Sequence, residues 1–205
     1  PINCVVLRTR ERGRGGEVLF GELPELPIEF LENGLRFTAD VMQGQKTGFF
    51  LDQRDNRALV QRLSRNCRTL NLFSFNGGFS VAAGRGGATH VTSVDIAGPA
   101  IEAAQLHWSM NELPEHAHCG IVADCFDFLE SASTDKQTWD IVVCDPPSFA
   151  PNEKSRDKAI AAYGRLAHLS AKVTRPAGLL ALASCSSHVD AQAFCEINAE
   201  RFGRA

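Results

Sequence analysis

The chain has 205 residues, 44% of them hydrophobic and 22% charged, a composition typical of folded globular domains and unlike disordered, collagen-like or membrane-embedded chains. That length suits one α/β domain with a small appendage. The formal net charge of -3 gives no global pull toward nucleic acid, so an RNA partner would have to be met by a local basic patch.

Residues 1 to 45 carry short alternating bursts, CVVLR, EVLFGE and IEFLENGLRFTADV, separated by Gly and Pro; such spacing predicts a small antiparallel β element. A domain boundary is expected near residue 45, with 46–205 as the main domain. Over 47–65 apolar residues fall at helical spacing and predict a helix leading into it. Strand and helix then alternate. CRTLNLFSF, THVTSVD, CGIVAD, WDIVVCD and GLLALASCS read as strands, each followed by a helical stretch. Strands apolar on both faces and separated by helices predict an α/β fold with a mostly parallel sheet covered by helices on both sides.

The longest apolar runs, at 140–144 and 178–183, fall well short of the roughly 20 residues of a membrane helix. The first residues have neither an initiating Met nor the pattern of a secretory signal, and the chain is expected to be a fragment trimmed at the front and in its last helix. Seven cysteines at irregular spacing, without a CxxC pair, argue against zinc or a redox centre and for a reducing cytoplasm. Most of them are expected to act as small hydrophobes in apolar strands. No metal is expected. Basic patches to meet RNA are sought at Arg8, Arg10, Arg12 and Arg14, and at Lys154, Arg156 and Lys158.

In an open parallel sheet, ligands bind beyond the carboxyl ends of the strands, and the polar signals of this sequence fall there. Asn76-Gly77-Gly78 follows the first strand, a turn in which Gly lets backbone approach a ligand. Asp95 ends the second strand, about 18 residues on, where a carboxylate can accept from two ribose hydroxyls. Asp124 follows the third and suits an adenine amino group, with Phe126 available to the ring. Asp145-Pro146-Pro147-Ser148-Phe149 follows the fourth, and Ser184-Cys185-Ser186 is expected to end the fifth.

The strings NLFSFNGGFSVAAGRGGATHVTSVD, VADCFDFLE and DPPSF resemble the successive motifs of Rossmann-like class I methyltransferases. With QKTGFFLDQRDNR upstream and ASCSS downstream, the stretch 32–198 resembles the bacterial large-subunit ribosomal RNA cytosine carbon-5 methyltransferase family. The resemblance implies S-adenosyl-L-methionine as cofactor, S-adenosyl-L-homocysteine as product and RNA as partner. It further implies a PUA domain and a terminal antiparallel strand pair that this sequence lacks. It places Phe73, Ser74, Asn76, Gly77 and Gly78 under the methionine part, Asp95 with Ile96 at the ribose, and Asp124 with Cys125 and Phe126 at the adenine. Lys46, Thr47, Gly48, Phe49, Asp52 and Arg54 would form a pre-catalytic motif closing over the cofactor, unless Arg54 and Arg57 are plain exposed helix charges.

Carbon 5 of a pyrimidine is a weak nucleophile, and addition of a thiolate at carbon 6 makes it enamine-like. Cys185 is the candidate nucleophile, since similar Ser-Cys-Ser triplets carry that thiol in related enzymes. Asp145 would bond the edge of the base, as well as the cofactor; Pro146 and Pro147 stiffen the loop; Ser148 and Phe149 would meet the base, Phe149 by stacking unless it is an ordinary core residue. His188 is a second candidate for proton transfer. Two other functions compete: a methyltransferase for exocyclic amines or a guanine ring nitrogen, which needs no thiol, and a non-catalytic RNA- or cofactor-binding assembly factor. The sequence leaves the oligomeric state open, a homodimer included.

Overall fold

The structure, a computed structural model, describes residues 2–7, 16–42, 48–150, 152–186 and 188–202. The chain divides into two compact units, Pro1–Ala58 and Leu59–Ala205, so the division falls inside a helix rather than near residue 45.

In the first unit the β element consists of two separate antiparallel pairs: β1 (Cys4–Leu7) with β2 (Glu17–Gly21), and β3 (Ile28–Glu32) with β4 (Leu35–Ala39). Asn33 and Gly34 join the second pair with φ of 50° and 80°, the left-handed geometry that a two-residue hairpin turn requires and that Asn-Gly tolerates. The pleat then turns Leu35, Phe37 and Ala39 inward. Phe37 meets Phe30 and Phe49, with ring centroids 6.0 and 4.8 Å away. A short 3-10 turn at Leu51–Gln53 leads into α1 (Arg54–Leu63). Arg57 is buried, not an exposed helix charge: its guanidinium bonds both oxygens of buried Glu32 at 2.6 Å, donates to Phe50 O at 2.9 Å and lies 4.5 Å over the Phe49 ring. Neither charge could be buried there without the other.

The second unit is a five-stranded, all-parallel sheet in the order β7-β6-β5-β8-β9. In chain order its elements are β5 (Arg68–Leu72), α2 (Gly78–Arg85), β6 (His90–Asp95), α3 (Gly98–Met110), β7 (His118–Val122), α4 (Cys125–Thr134), β8 (Trp139–Cys144), α5 (Arg156–Val173), β9 (Thr174–Leu182) and α6 (Ala191–Phe202). Alternate residues of β8 feed opposite faces. Val142 and Cys144 pack with Leu129 of α4 and Leu166 of α5. Ile141 and Val143 pack with Val60 of α1, Ala83 of α2 and Trp108 of α3. Helices therefore cover both faces, which gives the α/β, Rossmann-like fold. No helix among the described residues is long and apolar enough to cross a membrane.

Two details depart from the sequence reading. β9 begins at Thr174 and ends at Leu182, so Ser184-Cys185-Ser186 lies beyond the strand instead of ending it. Ser184 Oγ accepts from Ser186 N at 3.3 Å, a local bond that competes with continued pairing. Of the seven cysteines, only Cys125 and Cys144 are buried; Cys119, Cys185 and Cys195 are exposed.

A polar chain crosses the sheet: Asn71 Nδ2 donates to Ser80 Oγ at 2.8 Å, Ser80 Oγ lies 2.6 Å from Ser93 Oγ, and Ser93 Oγ lies 2.8 Å from His118 Nε2. The His118 ring stacks on Trp108 at 4.7 Å. Burial, aided by nearby His90, pushes the His118 pKa down to about 4 from an ordinary 6.5. Above pH 6.5 the residue is neutral both folded and unfolded, so it adds no pH dependence. As pH falls from 6.5 toward 4, the unfolded chain takes up a proton that the folded chain refuses, and stability is lost, by about 3 kcal/mol at most. Denaturant titrations across that range are expected to show a decline that flattens in His118→Gln; equal slopes in both proteins would assign the loss elsewhere.

Candidate active site

β5 occupies the middle of the sheet; the chain leaves it toward β6 and β7 on one side and later returns to β8 and β9 on the other. The loops after β5 and β8 therefore diverge, and a cleft opens at this switch point. In the first loop Phe73, Phe75 and Gly77 have φ of 53°, 46° and 77°. Bulky side chains rarely occupy that region, and each costs on the order of 1–3 kcal/mol.

Hydrogen bonds to β6, α3 and α4 hold the loop in place. Phe73 N donates to Cys125 Sγ at 3.2 Å, Ser74 N to Val94 O at 3.0 Å and Phe75 N to Asp95 Oδ2 at 2.9 Å. The Asn76 carbonyl lies 2.8 Å from His107 Nδ1; a carbonyl only accepts, so the proton sits on Nδ1. Burial lowers the His107 pKa and keeps the ring neutral. Asn76 and Ser74 are buried, and Ser74 Oγ has no hydrogen-bond partner among the described residues. Gly77 is glycine for a packing reason as much as a turn: a Cβ there would stand 2.6 Å from Ala104 Cβ and 2.9 Å from Ala104 Cα. Gly78 opens α2.

The acidic residues stand at the ends of their strands with defined partners. Asp95, half-buried, accepts from Phe75 N through one oxygen and from Ala97 N through the other, both at 2.9 Å. A carboxylate has about four acceptor positions, so capacity for two further donors remains. Ile96 beside it is 71% exposed, an apolar surface at the rim. Asp124 caps α4, its Oδ1 accepting from Phe126 N at 2.8 Å and Asp127 N at 3.3 Å. The Phe126 ring lies under the Arg165 guanidinium at 4.9 Å. The Cys125 side chain is buried, with its pKa pushed up to about 12 chiefly by burial; its thiol braces the loop from below.

Across the cleft, Asp145 is half-buried, Pro146 is buried, and Pro147 and Ser148 are exposed. Phe149 behaves as a core residue, its ring 4.9 Å from Tyr163, 6.2 Å from Phe126 and 6.4 Å from Phe73. Cys185 is exposed and its Sγ lies 3.8 Å from Pro146 O. The loops after all five strands of the second unit are thus joined at one rim. His188 lies farther along, bonded through Nδ1 to Glu153 at 3.1 Å.

Lys46 and Thr47, with Arg8, Arg10, Arg12 and Arg14, fall outside the described residues. Phe49 is buried in the first unit's aromatic cluster, Asp52 is exposed, and Arg54 bonds Asn33 Oδ1 at 3.2 Å. In the second basic patch Lys154 and Lys158 are exposed, whereas Arg156 donates to His188 O at 3.2 Å. Among the described residues no group of three or more His, Cys, Asp and Glu could hold a metal. The sequence singles out neither His107 nor Tyr163 at this rim. Tyr163, as the chain's one tyrosine, offered the only signal, and a weak one.

A strained loop, a strand-end carboxylate and an exposed apolar residue meet at the switch point of a Rossmann-like sheet, the place where such sheets bind ligands. Residues 3–194 match the family described as S-adenosylmethionine-dependent methyltransferase, and the chain belongs to that family. It is 48% identical over 88% of its length to a ribosomal RNA large subunit methyltransferase of Deinococcus radiodurans, covering 44% of that protein. It is 36% identical over 89% of its length to ribosomal RNA large subunit methyltransferase I of Pseudoalteromonas translucida, covering 46% of it. Among solved structures, SMU.776, a methyltransferase complexed with SAH, is 31% identical, superposes with a TM-score of 0.84 over 93% of this chain, and is half covered. The chain thus spans about half the length of the relatives it matches.

The packing of Gly77 makes one expectation direct. Gly77→Ala forces a side chain into Ala104 while the backbone stays left-handed, and should destabilise the fold by roughly 2–4 kcal/mol. A urea midpoint equal to that of the unaltered chain would show that α3 yields freely at Ala104.

Proposed function

We propose that this chain is the catalytic part of a cytoplasmic, S-adenosyl-L-methionine-dependent RNA methyltransferase acting at carbon 5 of a cytosine in large-subunit ribosomal RNA. The names of the Deinococcus and Pseudoalteromonas relatives, ribosomal RNA large subunit methyltransferases, support the substrate class. The observation that carries the chemistry is the accessibility of one thiol. Cys125, Cys144 and Cys185 all stand at the ends of strands or just beyond, but burial raises the first two far above the ordinary thiol range and keeps them protonated. Cys185 alone of the three is exposed, beside Pro146, and a nucleophile needs access as well as ionisation.

The rim residues suit the cofactor. The buried, unpartnered Ser74 hydroxyl, the spare acceptor capacity of Asp95 and the exposed Ile96 offer a donor, a diol acceptor and an apolar contact, with Asp124 near the adenine. Asn76, Gly77 and Gly78 would lie under the methionine part. Bound S-adenosyl-L-methionine supplies an electrophilic methyl group. The Cys185 thiolate adds to carbon 6 of the base, forming a carbon–sulfur bond and moving the ring electrons to carbon 5. Asp145 bonds the amino and ring-nitrogen edge of the cytosine and supports that addition. After methylation, loss of the carbon-5 proton restores the ring double bond and releases the thiolate. Exposed Pro147 and Ser148 face the base, a flipped or single-stranded one.

Methylation of an exocyclic amine at the same Asp-Pro-Pro loop would need no thiol, and trapping separates the two chemistries. RNA carrying 5-fluorocytidine has no removable proton at carbon 5, so the full chain with cofactor should form a covalent adduct stable to denaturing gel electrophoresis. Cys185→Ser should form none and lose methylation of normal RNA by about 10⁴-fold or more. Robust methylation by Cys185→Ser would falsify the covalent route. Cofactor contact is read separately: Asp95→Ala should weaken SAH binding about 10- to 100-fold in calorimetry, through two lost diol bonds and a loosened Phe75 turn.

A further inference from the structure

Four hydroxyl groups beside Cys185 form one connected chain. Ser184 Oγ donates to Tyr163 Oη at 2.9 Å, Tyr163 Oη lies 2.8 Å from Ser186 Oγ, and Ser186 Oγ lies 3.1 Å from Ser148 Oγ. The chain links α5, the segment after β9 and the Asp-Pro-Pro-Ser loop after β8. Tyr163 and Ser186 are 3% and 6% exposed, and a buried hydroxyl is costly unless bonded.

Counting protons gives the chain a direction. The Tyr163 oxygen accepts from Ser184, so its own proton goes to Ser186. The Ser186 oxygen accepts that proton's bond and another from Ala150 N at 3.3 Å, so its own proton goes to Ser148. Ser148, exposed, keeps its proton for a partner outside the chain. The tyrosine ring does not require this arrangement, because Phe149 and Phe194 at 4.9 and 5.3 Å would hold a phenylalanine equally well. The hydroxyl is the part that needs a reason, and both its bonds go to the residues flanking Cys185.

We propose that the Tyr163 hydroxyl is a positioning group: acting through Ser184 and Ser186, it fixes the Cys185 thiol against the Asp145–Ser148 loop and orients the Ser148 hydroxyl as a donor toward the substrate. The role rests on Cys185 being the nucleophile. It adds a device that the covalent scheme does not itself require, since a thiol on a loose segment could still react, though more slowly.

The test uses the full chain, cofactor and 5-fluorocytidine RNA in single turnover. Tyr163→Phe keeps the ring and removes the hydroxyl. The adduct-forming rate at saturating RNA is expected to fall about tenfold or more, while the RNA concentration for half-saturation and the affinity for SAH stay within about twofold. Ser186→Ala breaks the same chain without touching the aromatic cluster and should show the same loss, with the double variant no worse than either single one. If the unaltered chain forms no adduct, the nucleophile assignment fails and this role fails with it. If it forms adduct and both variants match its rate, the positioning role alone is overturned and Cys185 stands. Rate loss accompanied by an equal loss of SAH affinity would likewise overturn it, as the mark of general damage. Should Tyr163→Phe not fold, the Ser186→Ala rate decides between these outcomes.

Discussion

Because β5 pairs in parallel with β6 on one edge and β8 on the other, with Leu72 opposite Val94 and Cys144, three strands end at the same height and deliver their next residues to one rim. Everything chemical in the molecule follows from that register. A shift of β8 by one residue would carry Cys144 to the opposite face and bring Asp145 into its place, exchanging a buried thiol for a buried carboxylate. The two faces of the sheet resist such a shift, since Val142 and Cys144 belong to one helical layer and Ile141 and Val143 to the other.

The rim departs from ideal geometry at the loop after β5. Two phenylalanines in left-handed conformations would relax in isolation, yet their amides bond Cys125 and Asp95, and the carbonyl between them and α2 meets a neutral, buried histidine. Stability taken from β6, α3 and α4 maintains a backbone that no local preference favours. Strain held by its surroundings in this way fits a site that must be preorganised for a ligand. It also explains why Asp95 cannot be described by one role: its carboxylate braces the turn and retains capacity for further donors.

How much of this is legible in the sequence differs between fold and site. The alternation of apolar strands with helical stretches predicts the parallel sheet because burial on both faces leaves long apolar runs, such as IVVC of β8. Asp95, Asp124 and Asp145 are legible as strand-end carboxylates because each follows an apolar run, whereas the bracing of the β5 turn by Asp95 and the capping of α4 by Asp124 show only in the structure. Long-range contacts leave no such mark. Nothing in the spacing of α5 announces that Tyr163 meets Ser184 and Ser186, and nothing near His107 announces Asn76, 31 positions away. The role of Arg57 is hidden for the same reason, since its partner Glu32 lies in a hairpin 25 positions away. Gly77 has a second reason to be glycine that the sequence hides, since the atoms that would meet its Cβ belong to Ala104, 27 positions away.

The cysteines show how burial converts identical side chains into different chemistry. Cys144 ends β8 in the apolar layer, with no solvent to stabilise a thiolate, and Cys125 gives its sulfur to backbone amide and carbonyl groups. Both act as small hydrophobes with a weak hydrogen-bonding edge. Cys185 differs because β9 stops three residues before it. Had the strand continued, alternation would have set the triplet within the sheet and made Cys185 or its neighbours part of the core. The local bond from Ser186 N to Ser184 Oγ ends that possibility, lifts the thiol out of the pleat and leaves it facing the loop of β8. The two serines flanking the cysteine thus divide the work: one hydroxyl accepts the local bond beyond the strand, and the other joins the released segment to Tyr163 and Ser148.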